Sequence, residues 1–476
     1  MNIYLIVLLV YGAALICLGL FLARTVRDAR AFFVANRRLG PGLLFSTVLA
    51  ANIGAGSTVG AAGLGYSVGL SGWWWVGSAG LGSLLLALVV GPRMRRMAAR
   101  FDLLTLGDFL EHRYGPEVRA LVAVLLWLGT LTILAGQLIA FSWILQVVTG
   151  TTKFIGCLIG GSVVIAYFAA GGLKAAAWVN LLQLSVKGAG FLLALPFALA
   201  AVGGWEGLTA RLAGHGSAYL RLTGSGWSDV LPYVILLAPS FVVSPGLLQK
   251  IYGARDDRAV RLGTGANAVA LLGFSFFPVL LGMIAAALYP SLPHSELALP
   301  TVITGVLPTW LGALLLAAVF SAEVSSADAI LFMLSTSLTR DLYQRFLKPD
   351  ISDRRLLNAG RLLAFFSGLA GIAASVFLES VISALSIFYG LISVALFVPV
   401  LAGLLRSRPG ARTCAAIIVI SVGSAGLFHA ATSEGWGPLS PTFFGILVSF
   451  ALFGLAARRR DVAIPSPARP PFPESE

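Results

Sequence analysis

Runs of about 20 apolar residues, separated by short connections, take up nearly the whole chain. Thirteen can be drawn, near residues 2–23, 42–66, 72–92, 118–147, 154–171, 175–203, 229–249, 263–289, 309–338, 356–379, 382–405, 413–431 and 439–457. A helix rising ~1.5 Å per residue needs a run of that length to cross the ~30 Å hydrocarbon core of a bilayer. Of the 476 residues 58% are hydrophobic and 11% charged, too little polar surface to cover a soluble globule. The pattern predicts an all-α polytopic membrane protein with about 13 transmembrane helices. The first run has no Lys or Arg before Arg24 and no small-residue cleavage pattern after it, so it reads as a retained span.

The net charge of +13 would suggest nucleic acid in a soluble protein, but its placement has another explanation. With the N-terminus outside and the C-terminus cytoplasmic, all but four of the 33 Lys and Arg fall in cytoplasmic connections. Lys153, Arg211 and Arg221 fall outside, and Lys187 alone lies within a span. The positive charge is topological, and no nucleic-acid partner is expected. Cys17, Cys157 and Cys414 lie in separate apolar runs, and the four histidines fall in loops or near span ends, so neither a disulfide framework nor a zinc site is predicted.

Two spans carry residues that interrupt a helix. In the second, Ala50-Ala51-Asn52-Ile53-Gly54-Ala55-Gly56-Ser57-Thr58 replaces the expected leucines with small and polar residues. Either the backbone unwinds there to line a cavity, or Gly54, Gly56, Gly60 and Gly63 form a face for close helix packing. In the seventh, Pro239, Pro245 and Gly246 fall in mid-span, and each proline removes an intrahelical hydrogen bond. If spans two to six and seven to eleven are two five-helix repeats, inverted in the membrane, the breaks occupy corresponding positions, which points to a midplane substrate site.

Ionisable residues inside apolar runs are functional candidates by default. The ninth span carries Ala322-Glu323-Val324-Ser325-Ser326-Ala327-Asp328-Ala329. Helical spacing puts Ala322, Ser325 and Ser326 on one face, an oxygen-rich surface suited to a small cation such as Na+; the alternative is that the serines bond back to their own helix. The sixth span carries Asn180, Gln183 and Lys187, and the obvious partner for the Lys187 ammonium is Glu323. Gln137 in the fourth span either faces the cavity or bonds a neighbouring helix, and Trp73, Trp74 and Trp75 read as anchors at the outer interface. Residues Thr105 to Tyr114 read as an interfacial helix, mainly structural.

These segments resemble the sodium:solute symporters, whose core is the LeuT-like 5+5 inverted repeat. The resemblance covers roughly residues 25 to 410. It is carried by Phe32-Phe-Val-Ala-Asn-Arg-Arg38, by Ala50-Ala-Asn-Ile-Gly54, by Gly171-Gly-Leu-Lys-Ala175 with Trp178 and Gln183, and by Gln249-Lys-Ile-Tyr-Gly-Ala-Arg255. Ala322-Glu-Val-Ser-Ser-Ala-Asp-Ala329 followed by Ser337-Leu-Thr-Arg-Asp-Leu-Tyr343 is its most specific part. It implies one extra helix before the core and two after. The units are then 1–41, a first repeat 42–203, a loop 204–228, a second repeat 229–405, two further helices in 406–460 and a disordered tail 461–476. By the same resemblance the main Na+ site falls on the backbone of Ala50, Ile53 and Ala322 and the hydroxyls of Ser325 and Ser326. Asn180 stands where relatives with a second sodium site have aspartate, and Lys187 and Glu323 stand where the family has apolar residues.

Helical geometry puts Lys187 seven residues past Asn180, nearly over it and ~10.5 Å deeper. There its ammonium would either lie against Ser325, Ser326 and the carbonyls of span two, balanced by Glu323 and taking the place of sodium, or form a structural ion pair with Glu323 while Ser325 and Ser326 still bind sodium. The function expected is secondary active, cation-coupled symport of a small organic solute by alternating access, with Na+ as the coupling ion by the resemblance, H+ in the alternative reading, and no other cofactor. A transporter of the same fold that is proton-coupled or ion-independent is the alternative, and a transporter-like sensor acting with a partner is a third reading. No conjunction of nucleophile, base and metal suggests an enzyme. The expected cavity is lined by Asn52, Gly56, Ser57, Thr58, Gln137, Ser240, Ser244, Phe388 and Tyr389, and free amides near Ser57 mildly favour small organic acids or amino acids over sugars. Asp328 completes the coupling candidates. The expected setting is the plasma membrane of a bacterium.

Overall fold

The computed structural model describes residues 2–23, 37–168, 173–405, 409–432 and 439–458. The tail 461–476 and most of the expected first cytoplasmic loop lie outside the described residues, as do Gly171 and Gly172. Among the described residues the chain is helical, and its strand-type pairing is an isolated bridge between Leu39 and Ala254. Among the described residues nine helices are long and apolar enough to cross a membrane, with shorter apolar helices besides. Helical structure is what hydrocarbon demands, because backbone amides and carbonyls have no water to bond there.

In chain order the helices are α1 (Ile3–Ala23), α2 (Pro41–Asn52), α3 (Val59–Val68), α4 (Trp73–Leu85) and α5 (Leu106–Arg113). Then come α6 (Pro116–Thr149), α7 (Lys153–Phe168), α8 (Leu173–Ala201), α9 (Trp227–Val243), α10 (Pro245–Tyr252), α11 (Asp257–Phe274), α12 (Phe276–Leu288) and α13 (Ala298–Gly305). The last are α14 (Thr309–Thr336), α15 (Asp353–Phe377), α16 (Val381–Gly403), α17 (Ala411–Thr432) and α18 (Pro441–Arg458). Beyond its α-helical part α14 runs on in π form to Leu347. Helix α13, in the connection between α12 and α14, has no counterpart in the thirteen apolar runs.

Both expected interruptions are present. The second span is split into α2 and α3 by residues 53–58, with Ile53, Gly54 and Thr58 off helical dihedrals. The seventh is split into α9 and α10 at Ser244 (φ −51°, ψ 119°), and Pro245, the first residue of α10, has no N–H to donate to Phe241 one turn back.

Helix α8 lies against α14 and α2, and α14 also touches α2, so three elements converge on the α2–α3 break. Helix α3 crosses α12 with glycine at the contact. A Cβ on Gly282 would fall 1.9 Å from Ala62 O, and one on Gly65 2.2 Å from Val279 O. The glycine-packing reading of span two therefore holds for α3, while the unwinding reading holds just before it.

Each end of the bundle carries a polar clasp. Where basic residues collect, Arg119 of α6 lies 2.9 Å from Asp108 and 2.8 Å from Glu111, both of α5, and 2.8 Å from Asp341 beyond α14. Helix α5 thus ties two long helices together. At the other end the Glu296 carboxylate accepts from the backbone N–H of Val381 and Ile382 (2.7 and 3.3 Å) and from Trp143 Nε1 (2.9 Å). Burial nonetheless pushes the Glu296 carboxyl above the usual carboxylate range. It pins the segment before α13 onto the first turn of α16.

Candidate functional site

The break after α2 creates a set of carbonyl oxygens with no helical donors. Gly54 N–H, which helix continuation would give to Ala50 O, goes to Ser57 Oγ (2.9 Å). Ala55 N–H, due to Ala51 O, goes to Gln137 Oε1 (2.9 Å). Ser57 N–H, due to Ile53 O, goes to Gly54 O (3.0 Å). Buried carbonyls need partners, and α14 and α8 supply them.

From α14, Ser325 Oγ lies 2.8 Å from Ala50 O and 3.2 Å from Ala322 O. Ser326 Oγ lies 3.4 Å from Ala50 O, 3.1 Å from Ala51 O and 3.2 Å from Ile53 O. From α8, Lys187 Nζ donates to Ser325 Oγ (2.6 Å), Ala50 O (3.1 Å) and Ile53 O (3.1 Å). The five positions named from the sequence, Ala50, Ile53, Ala322, Ser325 and Ser326, are therefore together, and the ammonium of Lys187 stands among them. Lys187 is 0% exposed. A sodium ion has the oxygen chemistry it needs here, but it does not fit beside an ammonium already spending its three donors on the same oxygens.

Glu323 is not bonded to Lys187 as expected. No ion pair within 4.0 Å joins them among the described residues; Glu323 Oε1 accepts from Thr58 Oγ1 (3.1 Å), and Oε2 has no hydrogen-bond partner there. The carboxylate acts on the ammonium through space. Thr58 Oγ1 also lies 2.9 Å from Gly54 O, so Thr58 ties the broken segment to Glu323.

One turn steps lead down α8 from Lys187 to Gln183 and Asn180. Asn180 Nδ2 reaches Thr47 Oγ1 at 3.5 Å, while Asn180 Oδ1 and both polar atoms of Gln183 are buried with no partner among the described residues. Asp328, on the far side of α14, is half-buried and interacts electrostatically with Lys250 of α10.

A cavity of ≈ 70 Å³ lies between the two breaks, smaller in this conformation than the ~300–1,000 Å³ of an open ligand pocket. Asn52, Gly56, Ser57, Gln137, Ser244, Phe388 and Tyr389 line it as expected. Thr58 and Ser240 do not. Thr58 is fully buried on Glu323, and Ser240 donates back to Leu237 O (2.8 Å). Gln137 does both things proposed for it, lining the cavity and bonding Ala55 across the helices. Trp75 is no interfacial anchor: it is buried, edge-on to Tyr233 and Tyr389, and lines the cavity. Trp73 is buried too, bonded to Leu272 O (3.2 Å). Phe241, Met333 and Lys250 also line the cavity and were not singled out from the sequence. Lys250 reads as one more loop cation there, because it closes a half-helix just before the basic stretch ending at Arg261.

Of the amides near Ser57 proposed to hold an organic acid, those of Gly54, Ala55, Ser57 and Thr58 bond within the protein.

The model of the sodium:solute symporter family matches residues 32–413 of this chain. The sodium/glucose cotransporter of Vibrio parahaemolyticus is 24% identical to it over 392 residues, covering 75% of this chain and 71% of that protein. The sodium/pantothenate symporter of Escherichia coli (strain K12) is 26% identical over 445 residues, covering 88% and 89%. Among solved structures, a sodium-coupled sialic acid symporter matches with a TM-score of 0.81 and 18% identity over 97% of this chain and 98% of that one, a likeness of fold.

Proposed function

The chain belongs to the sodium:solute symporter family, and from that premise we propose that it is a cation-coupled symporter in which Lys187 takes the place of the main coupling sodium. One observation carries this reading. The Lys187 ammonium lies within 2.6 to 3.1 Å of Ser325 Oγ, Ala50 O and Ile53 O, the oxygens that the family pattern assigns to sodium. An amine so placed can carry a transferable proton, so the coupling ion is H+, delivered to and removed from Lys187 as the site opens to either side. Glu323 offsets the positive charge, and Thr58 fixes Glu323.

The chain is a transporter and not an enzyme, and its solute is a small organic molecule bound between the two breaks. Clasps at the two ends of the bundle, Glu296 at one and Arg119 at the other, are the contacts alternating access would release in turn. We further propose thirteen spans, with five-helix repeats over 42–203 and 229–405, the segment 1–41 before them and two helices in 406–460 after them. The N-terminus is outside and the C-terminus inside the plasma membrane of a bacterium; the asymmetry of Lys and Arg supports this.

Family membership and the names of the two relatives favour a second reading, in which Lys187 swings away and sodium takes the same oxygens. Solute uptake into liposomes under an imposed pH gradient or an imposed sodium gradient separates the two. Uptake driven by the pH gradient and lost in Lys187→Ala supports the first. Uptake driven by sodium alone and unchanged in Lys187→Ala refutes it. Binding of solute without flux in either gradient would support a sensor.

A further inference from the structure

The protein holds two buried ammoniums quite differently. Lys187 spends its protons on three protein oxygens and does not line the cavity. Lys250 is 7% exposed and lines the cavity, yet it makes no hydrogen bond and no ion pair within 4.0 Å among the described residues. It is the one charged side chain in the cavity wall among those residues.

We propose that the transported solute is a small monocarboxylate and that Lys250 recognises its charge. The proposal deepens the transporter reading above and rests on it. An ammonium removed from water without acceptors is costly, and a carboxylate in the cavity supplies what the protein withholds. The amides of Gly54, Ala55, Ser57 and Thr58, just before α3, are already bonded within the protein and are not offered to an acid. Asp328 provides the standing counter-charge for Lys250 without reaching it, which leaves the ammonium free to turn toward a ligand. Trp75, Phe241 and Tyr389 form an aromatic wall for the uncharged part of the solute.

Thermal unfolding of the purified full chain in detergent tests this without any gradient. The probes are acetate, lactate, pyruvate, phenylacetate and nicotinate, each paired with its own carboxamide at one fixed concentration. At least one acid should raise the melting temperature where its amide does not. Lys250→Gln should weaken binding of that acid on the order of 10- to 100-fold, the loss of one charge-assisted hydrogen bond, and Lys250→Arg should retain most of it. Equal shifts by acid and amide, an acid shift that survives Lys250→Gln, or no shift by any acid overturns the proposal. If Lys250→Gln does not fold, the acid–amide comparison in the unaltered protein decides alone. All comparisons are made at one fixed pH and salt composition and read only the solute's charge and Lys250, so failure here leaves the role of Lys187 standing, and failure of that role leaves acid binding standing.

Discussion

Lys187 Nζ lies 2.6 Å from Ser325 Oγ, with Ala50 O and Ile53 O each 3.1 Å away. The helix break before Gly54 strands those carbonyls, the serines of α14 face them, and α8 brings a cation already attached to the chain. The rest of the site follows from keeping that cation paired and hydrogen-bonded at depth.

Removing the cation should leave Glu323 uncompensated. Lys187→Ala is expected to cost roughly 3–5 kcal/mol, the range for breaking a buried pair by deleting one partner. Because Glu323 acts on Lys187 only through space, the double variant Lys187→Ala/Glu323→Gln should recover part of that loss. Chemical denaturation of all four proteins in detergent measures the coupling, and strict additivity would show that the two charges do not interact.

Thr58 is predicted to matter as the hydrogen-bond donor to Glu323 and not as a solute contact. Thr58→Val keeps the shape and removes the donor, at a cost of roughly 1.5–3 kcal/mol for a bond to a charged group. Thr58→Ser should be close to neutral. A stability change in Thr58→Val no larger than in Thr58→Ser would contradict the assignment.

At the basic end, Arg119→Ala leaves three carboxylates facing one another, and a loss of roughly 3–5 kcal/mol is expected. Arg255→Ala, which breaks an exposed pair with Asp256, should change stability by about 1 kcal/mol or less. Glu111 adds a pH signature. Burial works to raise its pKa, but the hydrogen bonds and charges of Arg345 and Arg119 together outweigh burial and hold it below the usual carboxylate range. A lowered carboxylate contributes its stability fully above the ordinary glutamate value and loses it as the pH falls through the lowered one. The stability gap between the unaltered protein and Glu111→Gln should therefore close on acidification, as thermal unfolding across that range would show.

Gly282→Ala should prevent the α3–α12 crossing, because its Cβ would meet a backbone oxygen that cannot move aside. Gly273→Ala, with open space around it, should be neutral or stabilising by up to ~1 kcal/mol from helix propensity. Yield of monodisperse protein distinguishes them, and equal yields would mean that the crossing is looser than described.

How much of this could be read in the sequence depended on what kind of constraint each residue obeys. Gly54, Gly56 and Pro245 act locally on the backbone, so both helix breaks were legible, whereas Pro239, also expected to interrupt the span, sits inside α9 without breaking it. Ala322, Ser325 and Ser326 sit on a regular helix whose period orders their faces, and the depth of Lys187 followed from the same geometry. Thr58 and Ser240 were misplaced because rotation about a broken or proline-containing helix has no fixed period, so which wall a hydroxyl faces depends on tertiary packing. The Lys187–Glu323 contact was drawn too close because Thr58, from a third element, intervenes. Trp75 and Lys250 lie where an aromatic belt and a basic loop are ordinarily found, and only the packing of α4 and α10 turns them inward.

Sodium titration of the purified protein tests the central claim most directly and needs no knowledge of the solute. If Lys187 fills the cation site, sodium in place of choline at constant ionic strength should leave the melting temperature of the unaltered protein unchanged. In Lys187→Ala, with the oxygens of Ala50, Ile53, Ser325 and Ser326 vacated, sodium should stabilise saturably, by ~2.7 kcal/mol at a hundred times its dissociation constant. Saturable sodium stabilisation of the unaltered protein, abolished by Ser325→Ala/Ser326→Ala and unaffected by Lys187→Ala, would contradict it.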